Sequence, residues 1–454
     1  MTAVLTALGN RWEAQVATVL ESSTRVRVAR RCADLADLMA TAAAGLGSSA
    51  LVSDDLRGLD LTAVERLRSI GLQVVGLSAP DDEGSERRLR QMGVRTVVPA
   101  TSVLSRLEAA LLESPLPESA LLESALLQSP GPGPGLALPS APPGSAPPGF
   151  ALPGSPRAGQ DGGADERDGP AGAPPRGCVV AVWGPTGAPG RTTVAVNLAA
   201  EVAGLGLATV LVDADTYGGS VAQTLSLLDE APGLVAAVRG ADQGTLDLPG
   251  LARLAPEVSP GLRVLTGIPK AERWPEVRAA ALERVLDLAR SLARVVVVDC
   301  GFNLEADEEL TYDTQVPRRN AATLTTLSVA DAVVAVGGCD PVSLQRLVRG
   351  LQELGTVQSP RPCVVVNRVR SAAVGASPQT RVRAALGRFA GVEEVRFIPD
   401  DPGGLDAAML AGRTLAECVP RSPARAALTE LAAALTDRAA ARTTPGRARW
   451  HLTR

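Results

Sequence analysis

Between Glu113 and Arg176 this 454-residue chain abandons every helix and strand pattern for Pro, Gly, Ala and Ser. Runs such as Ser129-Pro-Gly-Pro-Gly-Pro-Gly135 and Ser140-Ala-Pro-Pro-Gly-Ser-Ala-Pro-Pro-Gly149 carry too little apolar surface to offset the entropy of ordering, so residues 113–176 read as an extended linker. An imperfect repeat, Leu-Glu-Ser-Pro then Leu-Glu-Ser-Ala, occupies Leu112 to Ala125 at its start. A chain of this length also exceeds what one core normally serves. The linker therefore separates two parts that each need a core, residues 1–112 and 177–442, and residues 443–454 form a basic tail.

Residues 1–112 alternate short apolar runs with helical spacing. Ala50–Asp55, Gly71–Leu77 and Arg95–Pro99 are strand-like, while Leu61–Ile70 and Ser85–Met92 are helical. This rhythm predicts an α/β, doubly wound domain with a parallel sheet. From Gly177 the alternation resumes. The runs Cys178–Trp183, Thr209–Asp213, Leu262–Thr266, Arg294–Asp299, Ala332–Gly337, Cys363–Asn367 and Val395–Pro399 are strand-like, and several are apolar throughout, as strands covered on both faces require. A final helix is expected from Pro423 to about Ala441.

One strand–loop–helix unit stands out. Cys178-Val-Val-Ala-Val-Trp183 runs into the turn Gly184-Pro-Thr-Gly-Ala-Pro-Gly190, and Thr192–Ala200 reads as a helix. Backbone N–H groups and a helix dipole converging at such a turn make a preformed anion site. Bulk properties exclude competing classes. The net charge is -4, so nothing draws the whole chain to nucleic acid or anionic membrane. The six cysteines show no metal-ligand spacing and read as reduced, mostly buried thiols. The start has no secretory leader pattern and no apolar run spans a bilayer, which predicts a soluble, cytoplasmic protein with at most peripheral membrane contact.

The loop Pro185-Thr-Gly-Ala-Pro-Gly-Arg-Thr-Thr193 resembles the deviant Walker A of the MinD/ParA ATPase family, usually Gly-Lys-Gly-Gly-x-Gly-Lys-Thr-Thr. Gly187, Gly190, Thr192 and Thr193 match, and Pro185, Thr186, Ala188 and Arg191 depart from it. Lys270 is the only lysine of the chain, so Arg191 is either functional or the mark of a general Lys-to-Arg bias. Further elements follow in family order: Asp213 and Asp215 after the second strand, Asp299 ending a Walker B run, Asn367, and Phe397-Ile-Pro-Asp-Asp401. Cys300-Gly-Phe302 stands where the family has Pro-Pro.

The resemblance implies a P-loop NTPase fold with a mainly parallel sheet, binding ATP and Mg²⁺. Gly187, Ala188, Gly190, Arg191, Thr192 and Thr193 would hold the phosphates, and Asn367, Pro399 and Asp400 would face adenine. Thr192 and Asp299 would serve Mg²⁺, and Asp215 and Arg191 would serve catalysis. Thr186 lacks the charge that the family's signature lysine carries to a partner's phosphates, so slow or absent hydrolysis is expected, with a nucleotide-dependent homodimer.

Residues 1–112 followed by a linker resemble the CpaE/TadZ branch of that family, and more loosely the septum-site-determining (Ssd-like) proteins of actinobacteria. The first domain is then receiver-like (flavodoxin-like). Asp54 or Asp55 could accept phosphate, but the absence of lysine there favours a pseudo-receiver that docks septum or pilus machinery. The implied function is an ATP-binding switch that positions a septum or a Tad/Flp pilus. The alternative is a scaffold indifferent to nucleotide. Arg318 and Arg319 would either sense phosphate or a partner, or belong to a solvated loop. No basic stripe points to sequence-specific nucleic acid binding. Trp450 offers the tail little apolar face, and His451 has no catalytic neighbour.

Overall fold

The computed structural model describes residues 1–9, 11–112, 176–187, 189–227, 232–306 and 317–443, with side chains through 437. The linker 113–175, Ala188, residues 307–316 and the tail 444–454, with Trp450 and His451, lie outside the described residues.

Strands β1 (Thr2–Ala7), β2 (Val26–Arg31), β3 (Ser49–Ser53), β4 (Gln73–Ser78) and β5 (Thr96–Pro99) form a five-stranded sheet in the order β2-β1-β3-β4-β5. Every pairing is parallel. This order is the flavodoxin-like doubly wound arrangement. Five helices connect the strands and cover both faces, giving two apolar layers around Leu5, Leu38 and Val64 on one side and Val4, Leu51 and Leu107 on the other. Three of those helices start on an aspartate, because Asp34, Asp60 and Asp82 each accept a first-turn amide that would otherwise be unpaired.

The larger sheet contains β6 (Cys178–Trp183), β7 (Thr209–Ala214), β8 (Glu257–Ser259), β9 (Leu262–Leu265), β10 (Val295–Cys300), β11 (Ala332–Gly338), β12 (Cys363–Val369) and β13 (Val395–Pro399). Their order is β13-β12-β11-β6-β10-β7-β9-β8, parallel throughout except for the short antiparallel edge pair β8–β9. The continuous apolar runs are explained by burial on both sides. Val179, Ala181 and Trp183 pack toward the helices Gly233–Asp242 and Ala279–Leu292, whereas Val180 and Val182 pack toward Arg191–Gly204 and Pro423–Thr443. All six cysteines are free thiols, three of them buried. Among the described residues no helix is long and apolar enough to cross a membrane.

The two sheets meet within one compact unit. Thr62 donates to Asp242 through its amide (3.3 Å) and its hydroxyl (2.7 Å). Arg278 Nη1 bridges Asp60 at 2.9 Å and Asp242 at 2.8 Å. Beside this polar clamp, Leu61 is 5% exposed and belongs to the apolar core of the larger sheet.

Candidate functional site

In the larger sheet β6 lies between β10 and β11, which are reached by connections leaving in opposite directions. The crevice at the carboxyl end of such a reversal is where α/β sheets place ligands. The loop after β6 fills its rim. Gly187 and Gly190 adopt φ values of 105° and 91°, which only glycine takes without strain, and Gly190 caps the helix Arg191–Gly204. Asn367, 3% exposed, donates its amide to Pro189 O at 3.0 Å. A β-carbon at Gly190 would lie 2.5 Å from that amide nitrogen, so Asn367 reaches the loop there because residue 190 is glycine. Asn367, expected at adenine, spends one donor bracing the loop. Pro399 pairs beside Val369, and Asp400 accepts Arg370 Nη1 at 3.4 Å on the same edge.

Below the loop the carboxylates gather. Thr192 Oγ1 donates to Asp299 Oδ2 at 2.6 Å, and Ser220 Oγ reaches Thr192 Oγ1 at 3.4 Å. Asp299 is fully buried and its Oδ1 has no hydrogen-bond partner among the described residues. Burial first, then the neighbouring Asp213, holds the Asp299 carboxyl well above the usual carboxylate range. Burial likewise pushes Asp213 up to about 7, against the lowering effect of the Val221 amide. A buried carboxylate oxygen short of a donor, beside a second buried acid, forms a place where a cation is favoured. Among the described residues no three His, Cys, Asp or Glu side chains are arranged as a metal cage. A Mg²⁺ here would thus take Thr192 and Asp299 plus oxygens from water or phosphate, the pattern this ion prefers.

Arg191 and Asp215, the expected catalytic pair, are brought together as an ion pair. Arg191 Nη2 lies 3.2 Å from Asp215 Oδ2, with side chains 12% and 5% exposed. Its Nη1 donates to Gly184 O and Pro185 O at 3.2 and 3.3 Å, while Nε is buried without a partner among the described residues. The other Asp215 oxygen accepts the Tyr217 and Gly218 amides at 2.9 and 3.2 Å. Thr193 uses its carbonyl to receive Asn197.

The segment after Asp299 folds onto the segment after Asp215. Phe302 packs on Tyr217 with ring centroids 4.7 Å apart, and Trp183 Nε1 donates to Phe302 O. Arg319 bonds Thr216 twice, both at 3.0 Å, and stacks 3.8 Å over the Tyr217 ring. It ties the two segments together and is no solvated side chain. Arg318 is exposed beside Arg57 and Arg278. Tyr217, Asn320 and Arg346 were not singled out from the sequence; Tyr217 OH donates to Asn320 at 2.7 Å, and Arg346 rests against Gly187.

The crevice of the smaller sheet is closed by its own contacts. Asp54 accepts Ser85 Oγ at 2.5 Å, and the Gly9 amide donates to Ser53 Oγ at 2.7 Å. A β-carbon at Gly9 would collide with the Asp55 carboxylate, so Asp55 fills the space over Gly9.

No family model matches the chain. A relative described as an uncharacterized ATP-binding protein of Methanocaldococcus jannaschii is 24% identical over 254 residues, 56% of this chain and 86% of the relative. Similar solved structures include the cell division ATPase MinD of Pyrococcus furiosus, 17% identical over 57% of this chain and 99% of that one, TM-score 0.46. The septum site-determining protein MinD of Pyrococcus horikoshii, complexed with Mg-ADP, is 17% identical over 59% and 99%, TM-score 0.47. A ParA family ATPase from Chlorobium tepidum is 17% identical over 57% and 99%, TM-score 0.47. By its own sheet order and loop, the larger sheet is an α/β fold with mainly parallel strands and a glycine loop leading into a helix at its switch point.

Proposed function

We propose that this chain is a MinD/ParA-like nucleotide switch that binds ATP with Mg²⁺ and turns it over slowly or not at all. The observation that carries this reading is Asp299, buried beneath the glycine loop with one oxygen on Thr192 and the other without a partner among the described residues. When bound, the nucleotide supplies phosphate charge and Mg²⁺ neutralises it beside the buried acids. Gly187, Gly190, Thr192 and Thr193 would hold the phosphates, Thr192 and Asp299 the cation, and Pro399 and Asp400 the base side. Asn367 would join them at the base while keeping the loop in shape. Weak turnover follows from the Arg191–Asp215 pair, because each charge is already spent on the other.

As in the family it resembles, nucleotide would drive homodimer formation. The CpaE/TadZ-like or Ssd-like branch, with a septum or Tad/Flp pilus as cargo and the first domain as the docking part, completes the reading. The test is ATP binding and turnover by the full chain, with Mg²⁺ present or chelated, alongside sedimentation with and without ATP. Binding that needs Mg²⁺, with turnover far below that of an ordinary P-loop ATPase, is expected. Absence of ATP and ADP binding rejects the switch and leaves the nucleotide-indifferent scaffold.

A further inference from the structure

We infer that Arg346 is a phosphate-contacting cation of the loop, supplied within the same chain by the helix Pro341–Leu354. The inference rests on the nucleotide reading above. A polyphosphate carries several negative charges, and the loop's own residues offset few of them. Thr186 is neutral, and Arg191 is turned inward onto Asp215 and two carbonyls. Arg346 differs on each count. It is exposed, and no hydrogen bond or ion pair holds its guanidinium among the described residues.

Its placement is built, not incidental. The helix Pro341–Leu354 packs tightly on the root of the loop, since a β-carbon at Gly350 would lie 3.0 Å from Trp183 and 3.1 Å from Pro185. Leu347, fully buried, fixes the helix rotation against Gly337. Arg346 sits one turn before Gly350, so it shares the face that meets the loop. The absent side chain of Gly187 is what admits it: a β-carbon there would collide with Nη1 and lie 3.3 Å from Cζ and 3.4 Å from Cδ. A planar fork laid over a glycine turn can grip phosphate oxygens in pairs, which a point charge cannot.

The experiment titrates ATP, adenosine and inorganic triphosphate into the full chain by calorimetry at two salt concentrations, for wild type, Arg346→Ala and Arg346→Lys. Losing a charge-assisted bond should weaken ATP and triphosphate about tenfold or more in Arg346→Ala. Adenosine binding and the melting temperature should stay unchanged, the salt dependence should become shallower, and Arg346→Lys should recover part of the loss. Equal ATP affinity in wild type and Arg346→Ala overturns the inference, as does an equal loss of adenosine and ATP, the mark of a merely structural role. Wild type that binds triphosphate but not ATP rejects the nucleotide reading while leaving the Arg346 comparison intact. Wild type that binds no anion rejects both.

Discussion

The two sheets of this molecule end in two crevices that topology makes equivalent and side chains make opposite. Both lie at the carboxyl ends of parallel strands where the strand order reverses. In the smaller sheet the crevice satisfies itself: Asp54 takes the Ser85 hydroxyl, Ser53 takes the Gly9 amide, and Asp55 fills the space over Gly9. In the larger sheet Asp299 keeps an oxygen without a partner, Asp213 is held toward its neutral form, and two left-handed glycines open the backbone. A fold offers a place for a ligand, but a preserved site is one left with groups that the protein does not itself satisfy.

Four measurements can break this contrast. The largest effect is expected for Arg191→Ala, which strands Asp215 in a nearly buried position. Removing one partner of such a pair should cost about 3 kcal/mol of unfolding free energy, read by denaturant titration. Asp299→Asn should act in two directions. Without Mg²⁺ the melting temperature should rise because the cost of ionising a buried carboxyl is gone, while Mg²⁺-dependent ATP affinity should fall about tenfold or more. A melting temperature that drops would mean that Asp299 is satisfied after all.

Third comes pH. Asp213 binds its proton more tightly in the folded chain than in the unfolded one, since its folded pKa of about 7 lies above the ordinary value. The folded state therefore gains stability at low pH and loses it as pH rises through about 7, and Asp299 acts with the same sign. Melting temperatures between pH 5 and 8, a range set by that value, should fall, and Asp213→Asn should flatten the slope. The smallest effect is expected for Asp54→Ala, which removes one hydrogen bond worth about 1 kcal/mol. Acetyl phosphate should not label the wild-type chain. Labelling that depends on Asp54 or Asp55 would make the smaller crevice active and erase the difference.

What could be read in the sequence follows from how local each feature is. Val295–Val298, buried on every side, announces a strand from composition alone, and Gly187 and Gly190 announce a turn because few other residues could occupy it. β1 and β2 escaped that reading. Thr2–Ala7 stands at the very start of the chain, and Val26–Arg31 is an edge strand whose arginines face solvent. The identities of Arg191, Asp215 and Asn367 were legible, whereas their partners were not. Whether Arg191 meets an anion or Asp215, and whether Asn367 meets a base or Pro189, depends on the distance between segments far apart in the chain. Arg346 carries no local motif, and its contact with Gly187 and the packing of Gly350 on Trp183 reveal it.

Leu61 has a thermodynamic consequence. It sits on a helix of the smaller sheet yet completes the apolar core of the larger one, flanked by the clamp of Thr62, Asp242 and Arg278. A core that borrows a leucine from its neighbour does not reach full packing density without it. The two sheets should then melt as one cooperative transition, with calorimetric and van't Hoff enthalpies in agreement. Cutting the chain at its linker would leave an apolar socket facing water, so a truncated larger sheet is a different and weaker protein from the whole.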